Sequence, residues 1–135
     1  MTPNKYQKEA LRTEQPVGLE RYIMMGRGNG KTMMTEKKFR DMHNTDRLIN
    51  GLMGLNGEAG EAIDILKKHL FQGHELDREH LAKELGDVAW YLAISADALG
   101  YTLEQILQIN IDKLRARYPD GFEADRSLNR KEEDV

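Results

Sequence analysis

An all-α fold is predicted by three features of this sequence. Apolar residues recur at helical spacing from Thr35 to Tyr118, and no proline interrupts that stretch. Only three prolines occur in the 135 residues. Residues that start and stop helices also stand where the apolar pattern changes. We therefore expect a helical bundle.

The first helix is expected to begin with Thr2 as its cap and Pro3 at its first position, and to stop before Pro16. The segment at about 15–34 differs, because its sequence MMGRGNGKTMM has three glycines within five positions and no clean period. It is predicted to be a loop inserted into a single domain that spans residues 1–122.

A long helix is then expected from about 44 to 71, followed by a turn at residues 72–74. Asp77 is placed to cap the next helix, which should end at Gly100.

The last helix has the clearest start signal. Thr102 and Gln105 fit a capping box, and Pro119 should end the helix. Residues 123–135 are charged and poor in apolar side chains, so we expect a largely mobile tail.

The composition limits the partners that the chain can have. Charged residues make up 32% and apolar residues 39%, so the core is expected to be completed by homo-oligomerisation. A net charge of −3 without a long basic block argues against a nucleic-acid partner. There is no cysteine, and no apolar run reaches the roughly 20 residues that span a membrane, so we expect a cytoplasmic protein without a membrane partner.

Four acidic residues form two pairs at helical spacing. Glu58 and Glu61 are three residues apart, as are Glu84 and Asp87, so each pair should project from one face of its helix. The first pair lies about 13 residues before the turn and the second about 10 after it, at about 1.5 Å per residue. An antiparallel hairpin therefore brings both pairs to the same level.

Carboxylates brought together among helices repel one another and lose hydration, and a hard cation removes that conflict. Oxygen ligands alone favour magnesium, manganese or calcium over zinc or copper. One such acid pair more often lines a solvated face, but small and apolar residues such as Ala59, Ala62, Val88 and Ala89 surround these two pairs. The four acids are therefore predicted to bind a metal.

Glycines recur every third residue beside the first acid pair, at Gly51, Gly54, Gly57 and Gly60. Each should cost a helix about 1 kcal/mol relative to alanine. Close approach of a packed helix, close approach of a ligand, and a locally unwound helix are the three explanations left open.

Taken together, these motifs resemble the MazG-like family of all-α nucleoside triphosphate pyrophosphohydrolases. The similarity runs from LINGLMGLNGEAGEAIDILKK through KELGDVAWYLAISADALGYTLEQILQINIDKLRARYPDGF, roughly residues 48–122. The ExxE element of the family falls at Glu58 and Glu61, and its ExxD element at Glu84 and Asp87.

This resemblance implies a homodimer or homotetramer of helical bundles. It implies that the four acids are catalytic residues that hold Mg2+, with Mn2+ as a substitute. It also implies hydrolysis of a nucleoside or deoxynucleoside triphosphate to the monophosphate and pyrophosphate, in the removal of non-standard or surplus nucleotides. Glu61 is the preferred acceptor for the proton of the attacking water. Two alternatives stay open: a non-catalytic helical oligomerisation module, and a nucleotide sensor without turnover.

Further side chains are predicted to bind substrate. The candidates for phosphate contact lie two turns after the first acid pair and along one stripe of the last helix: Lys67, Lys68, Asn110, Lys113 and Arg117. Lys113 and Arg117 are preferred, because a single lysine is more often a solvated surface charge.

Three other residues are candidates for contact with the nucleoside. Tyr91 lies one turn after Asp87 and can reach the metal ligands, the sugar or the base, and Asn50 can read a base edge. Trp90 is a weaker candidate for base stacking. For both aromatic residues, burial in a subunit interface is the alternative.

Two other patterns are interpreted as non-functional. GRGNGKT at 26–32 lacks the glycine spacing of a phosphate-binding loop and no buried strand precedes it, so an ordinary surface loop is preferred. A loop whose Arg27 and Lys31 fold over phosphates is the functional alternative. The four histidines form no Glu-x-x-His unit, so a di-iron site is not expected and they are predicted to be surface or turn residues.

Overall fold

The computed structural model describes residues 1–15 and 36–129, without the side chains of Glu36 and Phe39. In this part of the chain every regular element is an α-helix, which confirms the predicted fold class. The helices are α1 (Pro3–Leu11), α2 (Glu36–Gln72), α3 (Arg78–Ala98), α4 (Leu103–Arg117) and α5 (Ala124–Leu128). The predicted loop, apart from residue 15, lies outside the described residues, and so do Arg27, Lys31 and residues 130–135.

The predicted helix starts are confirmed by their hydrogen bonds. The side chain of Thr2 accepts from the backbone N–H of Lys5 at 3.3 Å, and the Asp77 carboxylate accepts from that of His80 at 2.9 Å. At α4, Thr102 and Gln105 bond each other's backbone N–H groups and so form the full capping box. The start of each of these helices therefore follows from local sequence.

The long helix α2 begins eight residues earlier than the sequence predicted. Its additional first residues, 36–43, contain neither glycine nor proline and are mostly good helix formers, so nothing local stops the helix there. Another difference is α5, a short helix inside the segment predicted to be a mobile tail.

Helices α2 and α3 form an antiparallel hairpin with the largest helix–helix contact of the described chain. Its turn begins at Gly73, whose φ of 73° lies in the left-handed region that glycine adopts without strain. Helix α1 packs on α3 and on the start of α4. The hairpin therefore carries both acid pairs, and α1 supports it from the side of α3.

The core is small and lies between α1, α3 and α4. Its buried centre comprises Ala10, Ala93 and Leu103. Beside it the buried amide of Gln7 donates to the carbonyls of Ala93 and Tyr101 at 3.2 and 3.1 Å and accepts from the N–H of Leu103 at 2.9 Å. Gln7 thus joins α1 to α3, to the turn after α3 and to the start of α4.

An ion cluster ties α1 to the hairpin. The guanidinium of Arg47 on α2 donates two bonds of 2.7 Å to Glu14, just after α1, and one of 2.7 Å to Asp97 on α3. Such a two-pronged contact fixes orientation as well as charge. Nothing in the spacing of these residues indicated that they would meet.

Large apolar side chains remain exposed along one side of α2. They recur at helical spacing over six turns and are Ile49, Leu52, Met53, Ile63, Leu70 and Phe71. We call this surface the α2 stripe. A face of this length is unusual on a lone soluble domain and is typical of an interaction surface.

Candidate active site

Three of the four predicted acids converge in the hairpin. Glu58 on α2 and Glu84 and Asp87 on α3 each offer a carboxylate oxygen, and these oxygens lie within 4.8 Å of one another. Glu84 is buried, Glu58 is partly buried and Asp87 is exposed. One side of the group therefore opens to solvent.

This donor set fits one divalent cation with oxygen preference. Magnesium binds oxygens at about 2.0–2.1 Å, so two oxygens on opposite sides of one ion lie about 4.2 Å apart. The carboxylate oxygens of the group lie at most 4.8 Å apart, which is comparable to that distance. An acidic group on a surface can also exist without an ion, so its electrostatics matter as well.

The electrostatics of the group favour an added positive charge. Partial burial raises the pKa of Glu58 above its ordinary value, and repulsion from Glu61, Asp87 and Glu84 raises the pKa further. The ionised carboxylates thus destabilise one another at neutral pH, and a cation would relieve that repulsion.

Glu61 lies beside the three-carboxylate group without being a member of it. It lines a cleft of about 300 Å3 together with Glu84, Gly57 and Gly60. This volume is at the lower end of the range of small-molecule sites. The prediction that all four acids act as ligands stays untested, and the structure distinguishes Glu61 from the other three by position.

Lys68 also lines this cleft, whereas Lys67 does not. Both ammonium groups contact Asp64, that of Lys68 at 2.6 Å. Hydrogen bonds from Lys67 and then Lys68 lower the pKa of Asp64 to about 2. Asp64 therefore stays ionised and holds both lysines near the cleft, a feature that the sequence reasoning missed although its i, i+3 and i, i+4 spacing could have indicated it.

The glycine row divides into two halves. A Cβ added to Gly51 would lie 2.3 Å from Ser95 Oγ, and one added to Gly54 would lie 2.1 to 2.5 Å from ring atoms of Tyr91. At Gly57 and Gly60 an added Cβ would meet nothing within 4 Å. Close helix packing therefore explains Gly51 and Gly54, and the continuous helix excludes local unwinding.

The two aromatic candidates pack within the chain. Tyr91 fills the space over Gly54, one turn from Asp87. The indole N–H of Trp90 donates to the carbonyl of Ala10 at 3.2 Å and to the hydroxyl of Thr13 at 2.9 Å. Trp90 therefore joins α3 to the end of α1. Base stacking and burial in a subunit interface stay predictions for its ring.

The remaining substrate candidates stay predictions. Asn110 and Lys113 are exposed on α4. Arg117 lies 5.9 Å from the ring centroid of Tyr118, and its carbonyl accepts from Arg126. Asn50 is partly buried on α2, beside the packed half of the glycine row.

One functional neighbour was missed in the sequence. His80 is exposed, as expected of a surface residue, but its Nε2 lies 2.8 Å from Oε1 of Glu84. The i, i+4 spacing on one helix was the available signal.

Residues 48–122 match the family model of the MazG nucleotide pyrophosphohydrolase domain. The chain belongs to this family. The match begins at residue 48, inside α2, and extends through α3 and α4, so it includes all four acids. The predicted resemblance is thereby confirmed. The MazG family generally depends on a divalent metal, and the convergent acids agree with this dependence.

A curated relative is the "Gene 37 protein" of Mycobacterium phage L5. It is 41% identical over 73 residues, which cover 51% of this chain and 64% of the relative. The chain thus spans less than two thirds of that protein's length. No solved structure was found to match the chain. None of the described helices is both long and apolar enough to cross a membrane.

Proposed function

We propose that this protein is a magnesium-dependent nucleoside triphosphate pyrophosphohydrolase. It would convert a nucleoside or deoxynucleoside triphosphate and water to the monophosphate and pyrophosphate. The observation that carries the proposal is the convergence of Glu58, Glu84 and Asp87 from two helices in a chain of the MazG family.

The chemistry divides between these carboxylates and Glu61. Glu58, Glu84 and Asp87 would hold Mg2+, or Mn2+ in its place. The bound ion would neutralise phosphate charge and lower the pKa of a coordinated water. Glu61, in the cleft but outside the three-carboxylate group, would accept the proton of the attacking water. The bond between the α and β phosphates then breaks, and pyrophosphate leaves.

Cationic and polar side chains would bind the rest of the nucleotide. Lys68 lines the cleft and would contact phosphate, with Lys67 beside it. The stripe of Asn110, Lys113 and Arg117 on α4 is proposed to contribute further phosphate contacts. Tyr91 and Asn50 are proposed to face the nucleoside.

A homodimer or homotetramer is proposed as the working form, and the α2 stripe supports it. Exposed apolar side chains on this face, with the small described core, favour burial against a second copy. Light scattering after size exclusion should give a mass of two or four chains, and Met53→Glu should lower it. A monomer of the unmodified protein would contradict this assembly.

The cellular role is proposed to be removal of non-standard or surplus nucleotides in the cytoplasm.

The test of the reaction is incubation of the pure protein with Mg2+ and a panel of standard and modified nucleoside triphosphates, with separate assays for monophosphate and pyrophosphate. Both products should form in equal amounts. Diphosphate with orthophosphate would overturn the cleavage site, and nucleotide binding without turnover would favour the sensor.

A further inference from the structure

His80 occupies a position that the proposed reaction has not yet used. It lies one turn before Glu84 on α3, and its Nε2 approaches Oε1 of Glu84 at 2.8 Å. Glu84 is the most buried of the four acids, with 7% of its surface exposed. A contact to this carboxylate therefore acts at the inner side of the three-carboxylate group.

The geometry distinguishes His80 from a metal ligand. Among the described residues, the side chains whose ligand atoms converge within 4.8 Å are Glu58, Glu84 and Asp87, and His80 is not one of them. Its contact uses Oε1 of Glu84. The second oxygen of Glu84, Oε2, is not part of this contact.

The backbone of His80 is fixed in the first turn of α3. Its N–H donates to the capping carboxylate of Asp77 at 2.9 Å, so the start of the helix sets where the imidazole begins. The ring itself is more than half exposed, with a relative side-chain exposure of 55%. The imidazole is thus solvated, whereas the carboxylate that it contacts is buried.

We propose that His80 is a positioning residue that orients the Glu84 carboxylate for the metal. The imidazole N–H holds Oε1 and thereby fixes the side-chain rotation that presents Oε2 to the ion. Hydrogen bonds to ligating groups commonly change metal affinity by about 10–100-fold. The inference rests on the proposed function in one respect, namely that the acids bind a divalent metal.

Direct titration with Mn2+ tests this without nucleotide, by electron paramagnetic resonance of the free ion. His80→Ala should weaken Mn2+ binding about 10-fold or more. His80→Gln should restore most of the affinity, because its amide nitrogen can donate from a similar distance. Lys83→Ala is the matched control, since Lys83 lies on the same helix and pairs with the exposed Glu79. It should bind Mn2+ as the unmodified protein does.

Thermal unfolding in EDTA separates positioning from stability, and all three variants should unfold within a few degrees of the unmodified protein. Equal Mn2+ affinity in His80→Ala would overturn the role of His80 and leave the proposed function standing. Equal weakening in the alanine and glutamine variants would also overturn it. An unmodified protein that binds Mn2+ but hydrolyses no triphosphate would defeat the proposed function alone, and one that binds no Mn2+ would defeat both.

Discussion

The two halves of the glycine row on α2 have the same spacing and opposite surroundings. Gly51 and Gly54 lie against Ser95 and Tyr91 of α3, with no room for a Cβ. Gly57 and Gly60, one and two turns further on, face open space in the cleft beside the acids. The hairpin is thus tightly packed at one level and open at the next.

This difference separates a structural from a functional use of glycine. In the packed half, close contact between α2 and α3 offsets the cost of about 1 kcal/mol per helical glycine. In the open half no side chain of the described protein occupies the space, and the carboxylates lie beside it. The space at Gly57 and Gly60 is therefore available to the proposed ligand, and Gly60 also borders a cavity lined by Ile63, Leu70 and Phe71.

The largest expected effect is loss of activity after a change in the open half. Asp87→Asn removes a charge from the three-carboxylate group, and Glu61→Gln removes the proposed proton acceptor. Loss of the general base at Glu61 should lower kcat by about 100-fold or more. Loss of the ligand at Asp87 should lower kcat strongly as well, because the chemistry depends on the bound metal. Release of pyrophosphate from a triphosphate in saturating Mg2+ measures this.

The fold should survive both changes, because Asp87 and Glu61 are exposed. Circular dichroism should show unchanged helix content. Activity equal to that of the unmodified protein in either variant would remove that residue from the mechanism. Loss of helix would show that the acid also supports the hairpin.

In the packed half, the expected effect is on stability. Gly54→Ala would place a Cβ 2.1 to 2.5 Å from ring atoms of Tyr91, so the ring or the helix must move. Overpacking of this kind costs about 1–3 kcal/mol and exceeds the gain in helix propensity. Urea unfolding should show the loss as a lower midpoint. A midpoint at or above that of the unmodified protein would show that Tyr91 can move aside freely.

Substitution of glycine by alanine in the open half should instead stabilise the protein. Gly57→Ala meets nothing within 4 Å, and alanine is the better helix former. The free energy of unfolding should rise by about 0.5–1 kcal/mol in the same urea experiment. A loss of stability would mean that the space at Gly57 is already filled in the working assembly, for instance by a second copy.

The parts of the fold that could be predicted from the sequence depend mostly on local signals. The caps at Thr2, Asp77 and Thr102 depend on bonds within one turn, so residue type and spacing suffice to place them. The two acid pairs could be placed opposite each other because the numbers of residues that separate them from the turn at Gly73 are similar. These are short-range or one-dimensional quantities.

Contacts between distant helices were not predictable in this way. The bonds of Arg47 to Glu14 and Asp97 depend on how α1 crosses the hairpin, and no pattern encodes that crossing. The bonds of Trp90 were not predicted for the same reason, since its partners lie 77 and 80 residues away. The different surroundings of Gly54 and Gly57 could not be predicted either. Both glycines belong to the same three-residue spacing, and only the position of Tyr91 distinguishes them.

The smallest effect expected is a gain in stability without metal. Glu58→Gln removes a carboxylate that is partly desolvated and is repelled by Glu61, Asp87 and Glu84, so the unfolding temperature in EDTA at neutral pH should rise slightly. The folded state raises the pKa of Glu58 above its ordinary 4.5, so its ionised form is the destabilising one. The advantage of glutamine should therefore fade as the pH falls through that raised pKa.

In Mg2+ the unmodified protein should have the higher unfolding temperature and Glu58→Gln the lower one. The ion binds the unmodified acids better, and it stabilises the folded state to which it binds. Glu79→Gln is the control, since Glu79 is exposed on α3 and pairs with Lys83. It should change the unfolding temperature little in EDTA and leave the response to Mg2+ intact. If Glu58→Gln lowered stability in EDTA and left the Mg2+ response unchanged, the charge repulsion at Glu58 would not be relieved by a cation. The open half of the hairpin would then need another explanation than metal binding.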